Sequence, residues 1–570
     1  MKYTLSILTV FIGLTLYSQK LDVKETWVSG YARSVLYNDD YTNESETDTT
    51  TAAKLMSGHT LVDLAVNVKP NDKVFIQGMV RIRNDHGGFW GSGTTFDVRN
   101  LYLRGLIGKG FRYSVGDINY KLTPYTMFNT EEEMSHHDID AFRLMRDLTR
   151  FDLFYNDDNS WRQQGATGEF GLTFKKGIEE LDFTGFTSRL NWTANNGLLE
   201  RLHSGANIQL KQSKYLDLHL TYVDAFDIPG TSASTTEYNN PVLTGGIGLH
   251  YRVDDWNLDL ASELGNSTET LIIGDDESTR EDYFADIDIT VTQREKNLKV
   301  GLGYQEVGPD FRSIGAQTKR VDFNSANLAF QRYGNMQDLR PIGMLDLIRD
   351  ASLYNTELSP GLMPYNPSYG NAQPYGAATP NRRNMSLSVD WQDSEEMVNI
   401  SAQGIMGEEV IGEGTSALRS FNTYDILAVA HLDRLIGLDR NLTLTIGYWG
   451  ESTNRDGTES YEEVALDNST LTAGLNFEFV EDFEFIAGYR KLVSQGNEFS
   501  TRANIVGDII TFTPMDIDFE EDLFAVGARY NFSENSIINF QWTGYNFVDA
   551  QKMQQDYSLS NVSLIYRMIF

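Results

Sequence analysis

The chain of 570 residues has no cysteine. That absence excludes disulfide frameworks, thiolate metal sites, cysteine nucleophiles and a lipid anchor on cysteine. Prolines number only 12, and no Pro/Ser-rich stretch is present to serve as a linker between soluble domains. Cations are scarce: 47 Lys and Arg stand against 80 Asp and Glu, a formal net charge of -33. A nucleic-acid partner is therefore not expected, because neutralising phosphates needs clustered Lys and Arg. Long apolar runs are missing as well. Beyond Leu16 no segment approaches a helical membrane span, which needs about 18 or more apolar residues in a row. The eight histidines are scattered, and no Ser-His-acid order, GxSxG, phosphate loop or zinc motif is recognisable, so no enzyme is expected.

What is abundant is glycine (48), tyrosine (29) and phenylalanine (31), arranged with a period of two. Leu216, Leu218, Leu220 and Tyr222 share one face of an extended segment, and Asp217, His219 and Thr221 share the other. Trp256, Leu258 and Leu260 oppose Asn257 and Asp259. Ile287, Ile289 and Val291 oppose Asp286, Asp288 and Thr290. Leu442, Leu444, Ile446 and Tyr448 oppose Thr443, Thr445 and Gly447. Short turns fall at 69–72, 108–110, 175–177, 212–214, 253–255, 293–296, 392–395, 437–440, 480–482 and 533–535. Between them lie longer polar stretches, among them 38–59, 119–164, 225–242, 265–281, 307–382, 451–465 and 492–519. Residues 1–18 read as a secretory signal peptide: Lys2, an apolar stretch from Leu5 to Leu16, then Ser18 as a small residue for cleavage.

Alternating strands, an export signal, short turns and long polar loops together predict an all-β fold. It is a large antiparallel transmembrane β-barrel of about 22 strands, with residues 19–570 as one domain. The ending NVSLIYRMIF puts Val562, Leu564, Tyr566, Met568 and Phe570 on one face and stops on an aromatic residue. It resembles the terminal strand of Gram-negative outer-membrane barrels of porin-like type. The resemblance implies an outer-membrane location, with Tyr566, Met568 and Phe570 as the signal read by the barrel assembly machinery. It also implies lipid and lipopolysaccharide as surroundings. Trp391, Tyr448, Trp449, Phe479, Phe483, Tyr489, Tyr530 and Trp542 are candidates for the interfacial aromatic girdles.

Inward-facing charge is the main functional clue. With Ile76, Gly78, Val80 and Ile82 toward lipid, Arg81 and Arg83 face the lumen, joined by Arg104 and Arg112. The corresponding positions on later strands carry Asp217, Asp259, Asp286, Asp288, Glu478 and Glu484. Opposed charges across a pore bias ion passage, whereas charges that pair with one another seal it. In 119–164, residues Glu131–Glu133, His136, His137 and Asp138 match no defined metal spacing. The stretch from Asp138 to Leu148 predicts a short amphipathic helix carrying Ile139, Phe142 and Met145 on one side, able to fold inward as a constriction. Loop 307–382 carries a second candidate helix after Pro341 and a Tyr/Asn/Pro-rich stretch suited to a lid or plug. The expected function is a porin-like channel for passive or facilitated diffusion of hydrophilic solutes. The alternative is a non-conducting barrel that docks envelope proteins in a secretion, assembly or surface complex. No cofactor is expected beyond divalent cations at the acidic loops.

Overall fold

Backbone polar groups in lipid have only each other as partners, so a sheet that crosses a membrane must close. In the computed structural model it does. The structure describes residues 25–43, 54–86, 93–128, 137, 139–154, 163–191, 199–316, 318, 367–457, 459–460, 462–503, 509–551 and 556–570. The first half of the barrel comprises β1 (Glu25–Asn43), β2 (Lys54–Asn71), β3 (Val74–Asp85), β4 (Thr94–Ile107), β5 (Phe111–Ile118), β6 (Gln163–Thr173), β7 (Glu180–Asn191), β8 (Glu200–Ser213), β9 (Leu216–Ile228), β10 (Thr236–Val253) and β11 (Trp256–Ile273). The second comprises β12 (Asp276–Gln293), β13 (Leu298–Val307), β14 (Arg382–Gln392), β15 (Val398–Glu408), β16 (Ser420–His431), β17 (Leu442–Arg455), β18 (Val464–Val480), β19 (Phe483–Ala503), β20 (Ile509–Ser533), β21 (Ser536–Asp549) and β22 (Tyr557–Ile569). Each strand pairs antiparallel with its sequence neighbour, and β22 pairs back onto β1 from Tyr31↔Ile569 to Asn43↔Tyr557. The 22 strands thus form one closed ring. Closure continues one residue further, where Phe570 and Gly30 exchange two backbone hydrogen bonds of 2.7 and 2.9 Å.

All ten predicted short turns join adjacent strands at one end of the barrel. Their tightness shows in left-handed residues that tolerate it: Asp254 (φ 48), Asn297 (φ 47) and Asp482 (φ 64), with Gly108 (φ 64) where no side chain is present. One turn is longer than the rest and carries a short helix, α2 (Leu432–Ile436), ended by left-handed Gly437.

Outward positions alternate with inward ones along every strand and are exposed and apolar over a belt. On β10 the outward face runs Leu243, Ile247, Leu249, Tyr251, Val253. Its ten residue steps correspond to about 24 Å along the membrane normal at a tilt near 45°, the height of a bilayer's apolar band. Around the turn end, Phe479, Phe483, Tyr530, Phe532 and Tyr566 succeed one another at ring-centroid distances of 4.9, 6.2, 4.9 and 6.3 Å. This is an aromatic girdle over β18–β22. Trp449 does not belong to it. Its neighbour Tyr448 faces out at 43% exposure, and Trp449 is turned into the barrel and buried. Period two places consecutive aromatics on opposite faces.

The polar stretches 225–242, 265–281 and 492–519 are mostly strand rather than loop. β11 and β12 stay paired up to Ile273↔Asp276, and β19 and β20 up to Ala503↔Ile509. Above the lipid a hairpin has water outside, so its outward residues become polar without loss of the ladder. Polarity there reports the solvent and not the end of the strand. The charged pairs Lys491–Glu520 (2.5 Å) and Arg383–Glu306 (2.8 Å), both outward-facing, mark where the apolar belt stops.

Residues 1–18, Glu131–Glu133, His136, Asp138 and the candidate helix after Pro341 lie outside the described residues.

Candidate functional site

The lumen is the site, and what fills it comes from two long connections. The one between β5 and β6 carries α1 (Asp140–Phe154), which lies inside the barrel. It begins and ends later than the stretch read from sequence and includes Phe151. Ile139, Ala141, Phe142, Leu144, Met145 and Leu148 are buried, the last three together with Tyr31, Val35, Leu61, Ile537 and Ile565 of the inner wall. Inward glycines make room at the helix N-terminal end. A Cβ on Gly474 would stand 2.8 Å from Ile139, one on Gly488 would stand 2.6 Å from Ala141, and one on Gly447 would collide with His137. A glycine inside a strand marks such a close approach.

Polar contacts fix both ends of α1. At its start His137 Nε2 lies 2.7 Å from Asp425, and Arg490 donates to the His137 carbonyl. Asn476 donates to Asp140 at 2.5 Å, and Gln541 donates to the Ala141 carbonyl at 2.9 Å. At its far end Arg99 donates to the Phe151 carbonyl. Cationic donors suit that end, where carbonyls lack helical partners and the dipole is negative. A β-bulge aims Arg99 there: Met79 pairs with Asn100 and Val80 with Val98, so Arg99 is the extra residue. The helix therefore runs from the β16–β19 wall to the β4 wall.

The connection between β13 and β14 contributes a strap, 367–382, to the outer half of the lumen. Glu451 accepts the backbone N–H groups of Asn371 (2.5 Å) and Ala372 (3.0 Å). The Asn371 side chain donates to Glu498 at 2.7 Å, and Arg382 donates to the Ala372 and Asn371 carbonyls. Tyr369 donates to Glu521, and Asn468 donates to the Pro367 carbonyl. Arg419 braces the arrangement from the side, bound to Glu409 (2.6 Å), Glu413 (3.1 Å) and Glu498 (3.1 Å). Burial pushes the Glu409 carboxyl above its ordinary value, with Arg419 opposing. Opposite, the first residues after β5 pack with those after β13, where Ser313 donates to the Thr126 carbonyl at 3.1 Å, and with β12, where Tyr125 stacks on Phe284 with centroids 3.8 Å apart and donates to Asp286 at 2.6 Å.

Of the ten predicted lumen charges, Arg81 makes a two-pronged pair with Asp63 at 2.8 and 2.7 Å, both side chains almost fully buried. Arg83 binds Asp85 at 2.9 Å. Arg112 lies 3.6 Å from Glu169. Arg104 has no carboxylate partner among the described residues and lies against the rings of Tyr102 and Phe75. Asp217 and Asp259 are bridged by His250, at 3.0 and 2.6 Å. Asp286 receives Tyr125, and Asp288 makes no ion pair among the described residues. Glu478 and Glu484 do not join that acidic group. Glu478 pairs with Arg440 of a turn at 3.5 Å, and Glu484 with Arg529 at 3.5 Å, on the wall that seats α1. The acidic group on β9–β12 stands half-way round the ring from β20–β22 and β1, where Arg529, Arg567 and Arg33 lie. Tyr566 takes its place in the girdle at the turn end, and Phe570 closes against Gly30. Sequence reasoning missed Asp63, Arg99, Arg490, Arg529 and the cluster around Arg419. The glycines at 447, 474 and 488 were the one signal available for where the helix lies.

Between α1 and the inner wall of β1–β6 a cavity of about 1060 Å³ remains, running from the turn end of the barrel up to Phe151. No group of three or more His, Asp or Glu side chains that would hold a metal ion occurs among the described residues.

Fold and lumen define the class: a closed, 22-stranded antiparallel β-barrel with an apolar outward belt and a polar lumen narrowed by inward segments. No protein-family model matches the chain, and no curated protein matches it. Among solved structures it is similar to Pseudomonas aeruginosa OccK8 (OprE), at 10% identity and a TM-score of 0.37 over 96% of this chain and 99% of that one. It is similar to P. aeruginosa OccK11 (OpdR) at 10% identity and a TM-score of 0.38, over 96% and 97%. To the usher PapC translocation pore the values are 8% and 0.36, over 95% and 99%. Similarity at this level leaves the chain's own residues as the ground for any reading of what passes through the barrel.

Proposed function

We propose that the protein is an outer-membrane channel for diffusion of hydrophilic solutes, narrowed by α1 and by the 367–382 strap. The observation that carries this reading is the cavity of about 1060 Å³ beside α1. Its walls include charged groups in water, and a barrel of about 22 strands is wide enough that inward segments narrow it without filling it. Solutes pass by exchanging hydration for wall contacts, with no covalent step. Reconstitution into planar bilayers tests this: ion-conducting steps are expected, larger when α1 is excised. A folded barrel that never conducts, with α1 and the strap both removed, overturns it.

The buried ion cluster around Arg419 favours a second reading, a closed barrel that docks other envelope proteins, because buried ion pairs brace the strap across the outer half of the lumen. Lipopolysaccharide bridged by divalent cations remains the proposed surrounding of the acidic outer strands, and the assembly machinery the proposed reader of Tyr566, Met568 and Phe570. Chelation that left membrane retention and thermal stability unchanged would remove the cation proposal.

A further inference from the structure

We propose that the turn-end half of the lumen holds a subsite for a small organic anion, built from Arg104 and the rings of Trp27, Phe75 and Tyr102. The proposal rests on the channel reading and narrows its solute. The three rings belong to β1, β3 and β4 and face inward, with centroids 5.8 and 5.9 Å apart and planes tilted by 36° and 44°. At those angles they form one curved apolar surface along the cavity wall.

Arg104 lies on that surface. Its guanidinium carbon is 4.3 Å from the centre of Tyr102 and 5.6 Å from that of Phe75. Ring faces hold a guanidinium by its flat side and leave its N–H edge free. No carboxylate occupies that edge among the described residues. The surroundings add to the effect. In a chain of net charge -33, this cavity is lined by five Lys or Arg against three Asp or Glu. The local field therefore opposes the field of the whole protein and concentrates anions. Two of the cations are only loosely engaged: Arg112 sits 3.6 Å from Glu169 in an exposed pair, and Lys73 donates to the Gly108 carbonyl at 3.3 Å.

The ligand chemistry is set by what each part can reward. A guanidinium edge matches the two oxygens of a carboxylate or phosphate. The rings reward an apolar body, which an inorganic ion lacks. A neutral ring compound gains the rings and not Arg104. A body of about one ring, bearing an oxyanion, uses both.

The test measures binding and conduction separately on the folded, detergent-purified protein. Phenyl phosphate and phenylacetate are the two oxyanion arms, with benzyl alcohol as the neutral body and inorganic phosphate as the anion without one. Calorimetry is expected to show saturable binding of at least one aromatic anion, at least tenfold tighter than either control, and the same anion should interrupt single-channel current. Arg104→Gln should weaken binding tenfold or more, with partial rescue in Arg104→Lys. Trp27→Ala should weaken the aromatic anions and leave inorganic phosphate unchanged. Arg104 is exposed three residues from the end of β4, so its variants fold, and heat-modified gel mobility verifies this. Conduction without saturable binding, or binding indifferent to Arg104→Gln, overturns the subsite and leaves the channel standing. Binding in a barrel that never conducts supports the subsite and overturns the channel.

Discussion

If α1 is the constriction, lifting it should widen the pore, and the glycines beneath its first turn offer a way to do so with one methyl group. Gly488→Ala places a Cβ 2.6 Å from the Cβ of Ala141 and 2.8 Å from Cδ1 of Ile139. Apolar heavy atoms rest at about 3.5–4.0 Å, so one side must retreat by about 1 Å. The wall cannot, because β19 is hydrogen-bonded on both sides within a closed ring. Overpacking of this kind costs about 1–3 kcal/mol, and 2 kcal/mol shifts a docked–undocked balance by roughly thirtyfold. Farther along, Leu144, Met145 and Leu148 are still buried, and each such side chain contributes about 1.5–3 kcal/mol by leaving water. The helix should therefore pivot on its later turns and not leave. Single-channel recording is expected to show a larger conductance for Gly488→Ala with barrel stability in urea within about 1 kcal/mol of wild type. Gly474→Ala added to it should do little more, since both methyls meet Ile139 and the effects are not additive. Unchanged conductance alongside accelerated proteolysis of α1 would mean that the narrowest point lies elsewhere. If neither changed, the rigid-wall reasoning itself would fail.

The remaining predictions concern stability and assembly. Asp63→Asn leaves the buried Arg81 without its counter-charge and should lower unfolding free energy by about 3–5 kcal/mol. Asp63→Leu with Arg81→Met should recover most of that, and equal stability of the two variants in urea titrations would contradict the argument. Gly30→Val drives a side chain into the Phe570 ring, 2.6 Å from a Cβ there, and into the Asp63 carbonyl. The heat-modifiable barrel recovered from cells should fall several-fold, and wild-type yield would show that the β1–β22 seam tolerates the branch. Glu409 is raised by burial above its ordinary value of 4.5. Its uncharged form is favoured in the folded state, so its contribution is fully present below about pH 4.5 and is lost as pH rises through the higher folded value. Glu409→Gln should remove that slope from the stability–pH curve, and parallel wild-type and variant curves would rule it out.

The barrel was legible because lipid imposes a strict rule on each strand. Leu218, Leu220 and Tyr222 outside against Asp217, His219 and Thr221 inside is a pattern only period two produces, and left-handed Asp254, Asn297 and Asp482 punctuate it. Legibility failed where that rule stops. Above the belt β19 and β20 have water outside, so the outward positions turn acidic, as at Asp516, Asp518, Glu520 and Asp522, and a strand reads as a loop. Inside the barrel no local rule operates. Arg81 meets Asp63 only because β2 and β3 settle in one register, and Arg99 reaches Phe151 only through a bulge that places an extra residue on β4. Such pairings depend on register, a property of two strands together, whereas sequence patterning describes one at a time. Arg104 is informative for the same reason. Register matched Arg81 and Arg112 with acids on neighbouring strands, and Arg83 found Asp85 two residues along its own strand, yet Arg104 lies against rings instead. An exposed cation held flat against rings, with no carboxylate partner among the described residues, presents its edge to a solute.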